Sequence, residues 1–139
     1  MIKEFSPTKE VQDKRKLYTH YYANFEKHLA NGNVSKASEF LWGALHSLIY
    51  AIGITYGLKL SKHQQIKEFM KDLSLEEEDT RLYELFKKGE QLHANFYHDF
   101  LDAEALSLMG KEIYELIDKL IKILDSRMIK LDKSKINSS

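Results

Sequence analysis

The sequence predicts an all-α fold, a five-helix antiparallel up-and-down bundle. Three observations point to it. One proline and six glycines in 139 residues leave too few chain-reversing positions for a many-stranded protein. Apolar residues recur at helical spacings over long stretches, which marks one buried face on each segment. No stretch alternates strictly between apolar and polar residues over the length of a strand. The length suits one domain with a sizeable core, expected over residues 1–132, with a disordered tail at 133–139.

The first helix is expected to open at Ser6-Pro7, where serine caps free amides and proline suits the first helical position. Its inward face is Val11, Tyr18, Tyr21, Phe25 and Leu29, and Asn31-Gly32 ends it. Asn33 is the expected cap of a second helix running from about Val34 to Tyr56. Phe40, Leu41, Ala44, Leu45, Leu48, Ile49 and Ile52 form its heavy face. Gly43, Ala44, Ser47 and Ala51 form a strip that admits a close neighbour. Apolar around most of its circumference, this helix belongs at the centre. Gly57 is its expected stop.

Ser61 followed by Gln64 has the capping-box spacing for a third helix, with Ile66, Phe69, Met70 and Leu73 inward. Ser74 followed by Glu77 is a second such box, opening a fourth helix with Leu82, Leu85, Phe86, Leu92 and Phe96 inward and an end near His98 or Asp99. Asp102 is the expected cap of the fifth helix, whose stripe runs from Leu106 through Ile113, Leu116, Ile117 and Leu120 to Leu124. With short connections, neighbouring helices run antiparallel.

Composition narrows function mainly by exclusion. Zero formal net charge disfavours a uniformly basic nucleic-acid binder, while leaving room for a local patch. The absence of cysteine excludes disulfides and thiolate metal sites, and fits a reducing interior. The N-terminal residues carry no apolar run of signal-peptide type, and the stretch 45–54 is too short to span a bilayer, so a cytoplasmic protein with no membrane partner is expected. No Gly-rich phosphate loop or Gly-x-Ser-x-Gly turn is present.

Chemistry-bearing residues gather at 88–102, which holds His93, Asn95 and His98. Glu90 and His93 have the spacing used in carboxylate-bridged di-metal bundles, but no other histidine has an acidic residue three positions before it, and such sites need the pair twice. No metal and no cofactor are expected. Histidine exchanges protons near neutral pH and can do so without a metal. His93 has two readings: a helix-end residue bonded to a carbonyl, or a group facing a ligand. His98 lies nearer the turn. Asn95 is either a ligand contact or a local backbone partner. His46, on the small strip of the second helix, is expected to point toward the same cleft. Tyr18, Tyr21, Tyr22 and Phe25 beside His20 form either a base-stacking platform or ordinary core and interface aromatics.

The frame His93-Ala94-Asn95-Phe96-Tyr97-His98-Asp99-Phe100, late in the penultimate long helix, resembles the Arg-x4-His motif of the HEPN superfamily, with an aromatic two residues after the second position. The run Lys36 to His46 also looks like the HEPN second helix. More narrowly, Leu92-His-Ala-Asn-Phe-Tyr97, with the Trp42 region and the segment 57–73, is similar to the archaeal PaREP family of small helical proteins. The likeness covers roughly residues 8 to 126. It implies a homodimer associated with nucleotides or RNA, or paired with a nucleotidyltransferase-type protein. Active HEPN members are metal-independent ribonucleases, often toxins. Here His93 stands in the arginine position, without the guanidinium fork that clamps phosphate at two points.

The leading expectation is therefore a HEPN-like nucleotide- or RNA-associated module with an altered motif. The alternatives are a metal-independent endoribonuclease using His98 and His93, and a non-catalytic antitoxin-like or structural interaction protein. Asn95, Tyr97, His46 and His20 are the expected ligand contacts.

Overall fold

A computed structural model describes residues 7–137 of the chain. They form α1 (Pro7–Ala30), α2 (Val34–Thr55), α3 (His63–Glu76), α4 (Thr80–His98) and α5 (Ala103–Asn137), and no strand occurs among the described residues. Ser6, the expected first cap, lies outside them. Gly32 and Gly57 hold φ near +74° and +75°, the left-handed conformation that closes α1 and α2 at little steric cost. Asn33 precedes α2 but makes no side-chain cap bond.

The all-α bundle is arranged around α2, which packs against each of the other four helices. Leu41, Leu45, Ile49 and Ile52 are fully buried along it. The small strip does what its residues suggest: a Cβ at Gly43 would lie 3.2 Å from the Tyr21 ring, so α1 approaches to side-chain contact there. On length and composition α2 would also pass for a membrane span, but 72% of its most apolar window is buried inside the fold, as in a core helix.

Cross-contacts give the helix directions. Lys14 lies 4.3 Å from the Tyr50 ring centre and His28 stacks on Phe40, so α1 runs opposite to α2. Ser35 meets Phe96 and Leu45 faces Gly89, so α4 also opposes α2. Arg81 pairs with Glu115, and Lys88 with Glu112, so α5 opposes α4. The connection 56–62 is more than a turn. Leu60 is buried against Gly53, and His63 at the start of α3 sits 6.2 Å from Trp42 between ring centres. Tyr56 meets Phe69 and, through its hydroxyl, Glu76 at 3.3 Å. The chain thus runs back along α2 before α3 begins, which sets the start of α3 beside the middle of α2.

Several local expectations shift. The box that opens α3 is one residue later than Ser61–Gln64: Lys62 N–H donates to the Gln65 side chain at 3.0 Å. Ser74 does not cap α4. It is buried inside α3, and its hydroxyl donates to the Asp79 carbonyl at 2.5 Å. Asp79 is the cap, accepting from Arg81 N–H at 3.1 Å while holding Lys119 at 2.6 Å. Asp102 caps α5 as expected, accepting from Ala105 N–H at 2.7 Å. Phe96, expected inward, is 37% exposed, because α4 reaches its end there and the neighbouring turn does not cover it. The backbone of α5 is helical as far as Asn137. Ser138 and Ser139 lie outside the described residues.

Candidate functional site

The fold collects four of the six histidines at one opening. His46 comes from α2, His63 from the first residue of α3, and His93 and His98 from the last turns of α4. They line a cleft of about 550 Å³ with Trp42 and Glu90. The centre of the Trp42 ring lies 6.3 Å from His46, 6.2 Å from His63 and 5.9 Å from His93. Trp42 is 8% exposed and its other contacts include Phe86 at 6.1 Å, so the cleft floor is continuous with the core. A floor of this kind holds the imidazoles against a rigid surface.

Two of the imidazoles have a carboxylate partner. His63 Nε2 lies 2.7 Å from Glu90 Oε2, and His93 Nδ1 lies 3.0 Å from Glu39 Oε2. A carboxylate on one ring nitrogen fixes the orientation of the imidazole. The Glu39–His93 pair joins α2 to α4, and the Glu90–His63 pair joins α4 to α3. His46 differs. Burial pushes its pKa below the ordinary imidazole value, and the positive charges of Lys14 and His63 add to that shift. It therefore stands as a neutral ring at pH 7, able to accept a proton or a hydrogen bond. Among the described residues, no group of three or more His, Asp or Glu side chains is arranged to hold a metal ion.

The sequence profile of the archaeal PaREP1/PaREP8 family matches residues 13–117. The chain belongs to that family. The matched span takes in every residue that lines the cleft. Comparison with curated proteins and with solved structures gives no match.

In this PaREP1/PaREP8 chain the expected site residues separate into two groups. His93, His98 and His46 share the cleft. Asn95 does not face it: fully buried, it donates to Ser38 Oγ at 2.7 Å and accepts from Leu101 N–H at 2.7 Å, tying α4 to α2 and to the turn before α5. His20 sits on the exposed side of α1, within 3.3 Å of Asn24, away from the cleft lining. The side chain of Tyr97 lies outside the described residues.

Sequence reasoning passed over His63, Trp42 and Glu39. Glu90 and His93 have the spacing of a di-metal pair, but each turns to a different helix, Glu90 to His63 and His93 to Glu39. The available signal for His63 was the connection 56–62, which is long enough to run back along α2 and not merely reverse the chain.

Proposed function

We propose that this PaREP1/PaREP8 protein is a HEPN-like helical module that binds a nucleotide or RNA phosphate in the histidine cleft, with His93 in the arginine position of an altered Arg-x4-His motif. The observation that carries this reading is the gathering of His46, His63, His93 and His98 from three helices around Trp42. The residues that line the cleft include no arginine, so phosphate is met by imidazole N–H donors and not by a guanidinium fork. The rings and the indole supply an aromatic surface for the rest of the nucleotide.

A binding test decides it. Adenine nucleotides and a short single-stranded RNA are added in a thermal-melt assay. At a ligand concentration of about 100 Kd, binding adds about 2.7 kcal/mol to stability. At roughly 2.1 cal/mol/K of unfolding entropy per residue, that raises Tm by about 9 °C for a chain of 139 residues. The shift is lost in the His63→Ala, His93→Ala double variant. No shift across the panel refutes the reading.

The paired imidazoles favour a second reading, metal-independent phosphodiester transfer. One imidazole takes the proton from a ribose 2′-hydroxyl as O2′ bonds to phosphorus, and another protonates the departing 5′-oxygen. The products are a 2′,3′-cyclic phosphate and a 5′-hydroxyl. Highly purified protein that cleaves no structured RNA, with or without divalent metal, removes this reading and leaves the first standing. A homodimer is also proposed for the family fold; sedimentation near 16.3 kDa at high concentration refutes it.

A further inference from the structure

A second opening adjoins the cleft. It is a notch of about 280 Å³, lined by His28, Lys36, Glu39, Phe40 and Phe96, and its walls are almost wholly apolar. The His28 ring lies nearly parallel to Phe40, 8° between planes and 5.1 Å between centres. Phe96 faces the same space from α4 and is 37% exposed, whereas Phe25, Phe69 and Phe86 are 8% exposed or less. Ser35 Oγ donates to the Phe96 carbonyl at 3.0 Å, which fixes the end of α4 against the start of α2 and so holds the notch. Glu39 connects the two openings: it lines the notch, and its carboxylate is 3.0 Å from His93, which lines the cleft.

We infer that the notch is a base-stacking subsite, taking one unstacked nucleobase of a single-stranded nucleotide chain whose neighbouring phosphate lies in the histidine cleft. This rests on the phosphate-binding reading of the cleft and specifies its ligand. The aromatic lining suits the π-face of any base, and Lys36 among the lining residues supplies a cation for the connecting backbone. A base within a duplex is stacked and paired on both faces and does not enter such a notch. The preferred ligand is therefore single-stranded and longer than one nucleotide.

The test uses fluorescence anisotropy with three labelled probes: a short oligoadenylate, the same chain with abasic sites, and its duplex. Wild type, Phe96→Ala and Phe96→Tyr are compared, with melting curves to confirm that each is folded; the exposure of Phe96 favours this. Stacking losses on alanine substitution predict that Phe96→Ala weakens oligoadenylate binding by about tenfold or more. Phe96→Tyr keeps wild-type affinity, and the abasic chain binds wild type as weakly as oligoadenylate binds Phe96→Ala. Equal affinity of wild type and Phe96→Ala for oligoadenylate, or equal affinity of wild type for the intact and abasic chains, overturns the subsite while the cleft reading stands. Tighter binding of the duplex than of the single strand also overturns it. If wild type binds none of the three probes and no nucleotide shifts its melting, the cleft reading falls and the subsite with it.

Discussion

Replacing Asn95 with alanine separates a structural role from a ligand role at the residue where the two compete most directly. The side chain is fully buried and makes two bonds of 2.7 Å, one to Ser38 Oγ and one from Leu101 N–H. Ser38 Oγ keeps its own bond to the Val34 carbonyl at 2.9 Å, so it remains satisfied as a donor. Leu101 N–H loses its side-chain acceptor in a half-buried turn. Two lost hydrogen bonds at about 1 kcal/mol each, plus the desolvation of one orphaned amide at about 1 kcal/mol or more, give roughly 3 kcal/mol. The unfolding entropy for 139 residues is about 0.29 kcal/mol/K, so Tm falls by about 10 °C. Circular dichroism melting measures this, alongside nucleotide titration below the transition. A Tm drop of less than about 2 °C refutes the bracing role. So does loss of nucleotide affinity with an unchanged Tm, which would return Asn95 to the binding site.

Three further perturbations follow from the same geometry. Asp79→Ala removes the α4 cap and the Lys119 ion pair, costing about 1–2 kcal/mol in urea unfolding. The hydrogen bond from Lys119 holds the Asp79 carboxyl below its ordinary value, so its contribution is present above about pH 4 and is lost as pH falls through the folded-state value; the acid limb of stability is correspondingly shallower in the variant. His46 has a folded-state pKa below its unfolded one, so the unfolded chain binds the extra proton as pH drops below 6.5. The stability difference between wild type and His46→Gln therefore shifts against wild type from pH 7 to pH 5, by at most about 1.4 kcal/mol per pH unit, and a flat difference contradicts the burial of that ring. Gly53→Ala places a Cβ 2.7 Å from Leu60 Cδ1 and 3.0 Å from Leu60 Cγ. Overpacking of about 1–3 kcal/mol, offset by up to about 1 kcal/mol of helix propensity, leaves a net loss of about 1 kcal/mol in chemical denaturation, and a gain in stability contradicts the packing described.

The fold was legible because helix faces are written at fixed spacing. Leu41, Leu45, Leu48 and Ile52 could only be a core helix, and the stripe from Leu106 to Leu124 is buried at each of its main positions. Caps were less legible, because the Ser-x-x-Gln/Glu pattern marks a helix start by preference and does not require one there. Ser74 shows why: the chain continued the helix past it and used Asp79, which also had Lys119 to pair with. The site was half legible. His93 and His98 lie on one helix, so their proximity is local information. His63 reaches them only because the segment 56–62 runs back along α2, and Glu39 meets His93 only because α2 and α4 are antiparallel. Those pairings are 27 and 54 residues apart in sequence, and no local pattern announces them.

The most direct test of the central claim is a long-range proton–nitrogen NMR titration of the six histidine rings and the Trp42 indole with single-stranded RNA. The cleft reading predicts that His63, His93, His98 and Trp42 shift together and saturate at one affinity, while His20 on the exposed side of α1 does not move. Unmoved cleft signals at saturating RNA, or a shift confined to His20, contradict it.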